Sequence, residues 1–240
     1  MPQSLAEARE QLEEAIENNN VPALLDFLPH VSKNERAKEL LLMDSQFITS
    51  GAPFFEAIFR NLPPSSLRIF TECARANGVL REVLEHSDRQ QDWNVILFTT
   101  MHNRTGTPDI LHFLLQVCAD FFPQQVLGEM LTNYSQDNIN SLHPLSYHQN
   151  SLDSFVVLIS FFPSNKLFQE ALTLKNRASE HTPAEELRSR KQNYTAQFIS
   201  HPECWRRSHL MYREYFGRFP STIRRTNLKM EDSSCWCVIQ

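Results

Sequence analysis

An apolar pattern that returns along most of the chain limits its fold more than any other feature. Leu12, Phe54, Ile96 and Leu142 open four similar segments, spaced 42, 42 and 46 residues apart. Leu12-Glu13-Glu14-Ala15-Ile16 and Phe54-Phe55-Glu56-Ala57-Ile58 are the closest pair. Each opening is followed by a polar or proline-bearing turn and a second apolar stretch, at residues 22–28, 66–74, 109–119 and 152–162. A third stretch then recurs. Val79-Leu80-Arg81-Glu82-Val83-Leu84, Val126-Leu127-Gly128-Glu129-Met130-Leu131 and Leu167-Phe168-Gln169-Glu170-Ala171-Leu172 share it, and Arg36-Ala37-Lys38-Glu39-Leu40-Leu41 is a weaker copy. The four glutamates stand 43, 47 and 41 residues apart.

Apolar residues at i, i+1, i+4 and i+5 make one stripe of a helix, and the glutamate falls off it toward solvent. A unit of three such helices cannot bury its stripes alone, whereas stacked units can. The expected fold is therefore all-α: an α-solenoid of about four repeats, 41–47 residues each, over residues 1–180. Helix boundaries agree with it. Ser4-x-x-Glu7, Ser32-x-x-Glu35 and Thr182-x-x-Glu185 read as capping boxes, the last with Pro183 at the first helical position. Pro22 and Pro108 also suit helix starts, and Asn77-Gly78 reads as a left-handed helix end. Ser154-Phe155-Val156-Val157-Leu158-Ile159 has strand propensity. Its alignment with Ile110-Leu111-His112-Phe113-Leu114-Leu115 makes it a buried helix instead.

These helix pairs resemble ankyrin repeats over roughly residues 4–180, with Leu142-His143 similar to that family's Leu-His turn and Ala52-Pro53 to its Thr-Pro. The chain has only five glycines, too few for the family's finger turns, so a third helix is expected in their place. HEAT and armadillo repeats match the unit length, and the family is left open between these.

Residues 183–200 and 203–216 read as two further helices that cap the array over 181–217. The second places Trp205, Leu210, Met211, Tyr215 and Phe216 among arginines, a mixture that also suits a headgroup interface. Charge is unevenly spread. Arg206, Arg207, Arg213, Arg218, Arg224, Arg225 and Lys229 against Glu203 and Glu214 give residues 201–230 a net +5, while the whole chain carries −5. With Glu231 and Asp232 set apart, −5 − 5 + 2 leaves −8 for residues 1–200. An acidic body argues against nucleic acid as a partner. Five scattered cysteines show no disulfide framework or paired metal spacing, as expected of a reducing compartment. The sequons at Asn103, Asn133 and Asn193 are then incidental.

The first twenty residues are charged and helical, unlike a signal peptide, and Pro2 does not fit a myristoylation motif. The longest apolar run, 155–162, is too short to span a bilayer. Membrane contact would come through residues 218–240, a flexible basic tether ending in Cys237-Val238-Ile239-Gln240. A cysteine, two aliphatic residues and a terminal Gln make a CaaX box, with farnesyl the expected group on Cys237 and a prenyltransferase the implied partner. One lipid anchors weakly, so the seven basic residues named above or a palmitoyl group on Cys235 would supply the second attachment. Divergent ankyrin-like repeats with a prenylation box resemble effector proteins of intracellular bacteria, which use the host's prenyltransferase. That resemblance implies a lipid-anchored module on the cytosolic face of a host membrane, binding a protein partner through its repeats.

Other constellations point elsewhere or nowhere. His201-x2-Cys204-x4-His209 offers three zinc-type donors without a second cluster, so neither metal nor cofactor is expected. His143 and His148 read as turn and surface histidines, and Cys73 and Cys118 as buried packing residues. Leu62-Pro63-Pro64-Ser65-Ser66-Leu67-Arg68-Ile69-Phe70 resembles the opening of an F-box and implies a ubiquitin-ligase adaptor as the runner-up. Leu67 nevertheless aligns with Leu25 of the preceding unit, which gives it a packing role. No nucleophile stands beside a base in any recognisable catalytic motif, so no catalytic residue is assigned. A small enzyme would betray itself by a polar pocket with perturbed titratable groups.

Overall fold

The computed structural model describes residues 5–18, 20, 22–23, 26, 64–76, 78–85, 93–102, 108–132, 135, 137–149, 151–218 and 220. These residues are mostly helical and contain no strand. Helix α1 (Leu5–Glu17) carries Leu12. Helices α2 (Pro64–Ala76) and α3 (Leu80–Glu85) come after it, then α4 (Val95–His102), α5 (Pro108–Phe121) and α6 (Gln124–Thr132). Next come α7 (Leu142–Leu145), α8 (Leu152–Ser160) and α9 (Asn165–Thr173), and last α10 (Pro183–Ser189), α11 (Asn193–Ile199) and α12 (Cys204–Phe216). The expected second helices thus stand at α2, α5 and α8, and the third ones at α3, α6 and α9. Phe54, the 36–41 segment, the Ser4 and Ser32 caps and most of the 22–28 stretch lie outside the described residues.

Local chemistry sets the boundaries. Thr182 accepts from the Glu185 N–H while the Glu185 carboxylate accepts from the Thr182 N–H, and Pro183 fills the first helical position. Gly78 and Gly217 take φ of +70° and +68°, where a Cβ would be strained, and end α2 and α12. Every residue from Ser154 to Ser160 in α8 is buried, and the Ser160 hydroxyl returns to the Val156 carbonyl. Burial on all sides overrides the strand preference of Val156, Val157 and Ile159. The expected single helix over 183–200 is instead two. Lys191 adopts φ +63°, and Gln192 leaves the helical path because its side-chain amide donates to the Ser146 carbonyl and accepts from the Ser151 hydroxyl.

Corresponding helices lie against each other: α5 on α2, α7 on α4, α8 on α5 and α9 on α6, and α12 packs on α8. The core runs through this packing, from Leu67 and Leu84 through Leu111, Leu114 and Cys118 to Phe155, Phe161 and Phe168. A Cβ on Gly128 would come 3.1 Å from Leu167 and 3.3 Å from Pro163, so its bareness sets the approach of α6 to α9.

The same hydrogen bonds recur 46 residues apart. Asn94 Oδ1 accepts from the Ile96 N–H, and its Nδ2 donates to the Met130 carbonyl at 2.7 Å. Asn140 Oδ1 accepts from the Leu142 N–H, and its Nδ2 donates to the Ala171 carbonyl, again at 2.7 Å. The Thr100 hydroxyl donates to the Leu97 carbonyl, as that of Ser146 does to His143. His148 Nε2 then lies 2.9 Å from the Thr100 carbonyl and Gln192 Nε2 2.9 Å from that of Ser146. Each amide joins the start of one helix to the far helix of its own group, and each later donor ties the next group to the last.

Candidate functional site

The face that carries the sequence-assigned arginines is α12. Cys204, Ser208, His209 and Tyr212, spaced four, one and three apart, form its buried side. That side docks on α8, where Phe161 meets the Tyr212 ring edge-on at 5.7 Å and the Phe162 carbonyl accepts from Trp205 Nε1. His112 of α5 completes the seat. Its Nδ1 is 2.9 Å from the Tyr212 hydroxyl and its ring stacks on Phe216 at 3.8 Å. At the outer edge the Tyr215 hydroxyl donates to Asp153 at 2.9 Å.

The buried groups here are held uncharged. Burial, with help from the Arg218 charge, lowers His112 to about 4 against the opposing pull of Asp109. Burial likewise lowers His209 to about 4, although the carbonyls of Trp205 and Ser160 favour a proton on it. Nδ1 lies 2.6 Å from the Trp205 carbonyl, while Nε2 approaches Ser160 without forming an aligned bond. The Cys204 thiol is pushed up to about 12, first by burial, and is unreactive as packed.

Arg206, Arg207, Arg213 and Arg218 are exposed. Glu203 and Glu214 share that side, and Arg206 reaches Glu203 at 4.0 Å, so residues 201–218 keep a net +2 from four arginines and two glutamates. Arg224, Arg225, Lys229, Cys235 and Cys237 lie outside the described residues. His201, Cys204 and His209 do not converge, and no group of three His, Cys, Asp or Glu side chains suited to a metal occurs among the described residues. No helix among them is long and apolar enough to cross a membrane. Cys118 is a buried packing residue as expected, whereas the Cys73 side chain lies outside the described residues.

His143 corrects the sequence reading: it is completely buried, not a turn surface residue. The α7 turn draws it inward, with Nδ1 at 3.3 Å from the Asn140 N–H and 3.0 Å from its Oδ1. Burial lowers it to about 4, against the carbonyls of His181 and Leu174 and the charge of Glu186. Glu186 is itself buried. Burial opposes its charge, but hydrogen bonds from His181, Arg190 and Ser179 prevail and hold it below its usual value. Arg190 also lies over the Tyr147 ring at 4.3 Å, and Asn176 donates to the Tyr147 hydroxyl. This polar joint fixes α7 against α10, and most of its hydrogen-bonding atoms are already occupied within the chain. Leu67, in the F-box-like stretch, is buried in the packing of α2.

No protein-family model, curated protein or solved structure matches the chain. Sequence reasoning missed the two asparagines, although Asn94 and Asn140 carry the same spacing as Ile96 and Leu142. It also missed the meeting of His112 with Tyr212, which no local signal announces across 100 residues.

Proposed function

We propose that this protein is a non-catalytic interaction module: a stacked array of helical units that presents a partner-binding surface and is held at a cytosol-facing membrane by farnesyl on Cys237. The observation that carries the array is the repeated asparagine bridge, Asn94 to Met130 and Asn140 to Ala171, together with the packing of like helix on like helix. Units joined this way form an extended surface, which is the use such arrays are put to. The anchor rests on Cys237-Val238-Ile239-Gln240 and requires a free carboxylate on Gln240. Palmitoyl on Cys235, or the basic residues from Arg206 to Lys229, supplies the second attachment.

Expression in a eukaryotic cell, with intact-mass measurement and membrane fractionation, tests the anchor. The parent chain carries the mass of one farnesyl group on Cys237, whether or not Val238-Ile239-Gln240 has been removed, and sediments with membranes. Cys237→Ser loses that mass and becomes soluble with unchanged folded stability. Neutralising Arg224, Arg225 and Lys229 weakens attachment partially, and more so as salt screens the remaining charges. A Cys237→Ser chain that stays fully on membranes contradicts the reading.

A further inference from the structure

Two histidines flank the seat of α12, and both positions tolerate a neutral ring better than a charged one. In the Nε2–H tautomer of neutral His112, Nδ1 accepts the proton of the Tyr212 hydroxyl at 2.9 Å. Once protonated, that nitrogen can only donate, and the hydroxyl proton of the fully buried Tyr212 loses its acceptor. The charged groups that act on the ring are Arg218, just beyond α12, and Asp109, on its own helix. Arg218 repels an added charge and Asp109 attracts it. Stacking on Phe216 favours a cation modestly. The net direction is set by burial, the largest influence on this ring.

His209, on α12 itself, is fully buried and acted on by two carbonyls, those of Trp205 and Ser160, rather than by a carboxylate. A second proton there places a whole charge inside the interface between α12 and α8. The two histidines thus lie under different parts of α12, His209 against α8 and His112 on α5, and α12 packs chiefly against α8. A helix held from one side opens at lower cost than one packed between two.

We propose that α12 is an acid-released latch, which stays docked on α5 and α8 while His112 and His209 are neutral and lifts away ahead of the rest of the fold when both take up protons. Release uncovers Cys204, Ser208, His209 and Tyr212 together and leaves the α5 and α8 faces beneath them open. The inference stands independently of the lipid anchor.

Cys204 reports the opening, because it lies on the docked side of α12, and Cys118, buried in α5, serves as the internal reference. The experiment is a brief pulse with a pyridyl disulfide, which accepts thiols in acid, followed by peptide-level mass spectrometry at about pH 7 and about pH 4.5. The expected result is labelling of Cys204 about tenfold faster in acid with Cys118 unchanged. Acid removes thiolate but also activates the pyridyl disulfide, so the gain is read relative to a small free thiol labelled in the same pulse, and the excess reports opening. His112→Gln and His209→Gln keep a polar side chain that does not titrate, and the pair together is expected to abolish the gain. Three results overturn the latch: no acid gain at Cys204, a gain shared in step with Cys118, or an undiminished gain in the double variant. Where a variant fails to fold, the comparison of Cys204 with Cys118 in the parent chain decides the matter alone.

Discussion

Asn94 and Asn140 open two groups of helices with the same pair of bonds, yet the residues after them differ. Asn94 leads into Val95, Ile96, Leu97 and Phe98, and α4 runs on to His102. After Asn140, His143 stands where Leu97 stood and Pro144 where Phe98 stood, and α7 ends at Leu145 in successive tight turns closed by Tyr147 and His148. Leu97 and His143 are nevertheless equally buried. The backbone framework is held by the asparagine amide and by the hydroxyl of Thr100 or Ser146. The side chain between them is free to change from apolar to titratable, provided polar partners surround it. The first group gains its stability from apolar burial, while the second exchanges part of that for a polar joint with α10.

The largest effects should come from breaking what the two groups share. Asn140→Ala and Asn94→Ala each leave a buried helix-start N–H and a carbonyl of the far helix without partners. The carbonyl is buried at Ala171 and part-buried at Met130, so the cost in denaturant unfolding should be on the order of 3–5 kcal/mol for Asn140 and less for Asn94. A cost below about 1 kcal/mol at either site would mean that the bridge is incidental there. Leu111→Ala and Leu67→Ala open cavities between neighbouring helices and should cost roughly 2–5 kcal/mol. Equal losses at both would indicate that packing is equally tight at α2 and α5.

The difference between the groups can be sharpened by pH. Unfolded histidine takes up its proton near 6.5, whereas folded His143 and His209 do so only at about 4. Their contribution is therefore present above about pH 6.5 and is lost as pH falls toward 4, by up to about 3 kcal/mol for each fully buried ring. Denaturation midpoints measured from neutral to acid pH should track that slope. His143→Leu, which copies Leu97, should change stability at neutral pH by less than about 1 kcal/mol and remove part of the acid loss. An unchanged acid slope would show that His143 is not among the groups that titrate on unfolding.

Much of the fold was legible because helical burial leaves a periodic trace. The stretches behind α2, α5, α6, α8 and α9 announced themselves through apolar spacing, and Thr182 and Gly78 announced their helix ends through cap chemistry. The break at Lys191 was hidden, since its cause is a side-chain bond from Gln192 to Ser146, 46 residues away. His143 was misplaced for a similar reason. A histidine in a polar turn usually faces water, and only the covering of α7 by α10 turns it into a buried residue. At the candidate site the exposed arginines of α12 were legible as charge. The glutamates beside them and the His112 seat beneath depended on three-dimensional neighbours. The assignments to Cys235 and Cys237 rest on motif chemistry alone.

Hydrogen exchange resolved along the chain in Asn140→Ala tests the central claim, that the helices are coupled as neighbouring units. Loss of the bridge should deprotect α7 to α9 most, α4 to α6 and α10 less, and α2 and α3 least, because each group is supported by those it touches. A uniform loss across all helices would show a single cooperative core without units. A loss confined to the few residues around Asn140 would show that the bridge couples nothing, and either outcome would contradict the stacked array.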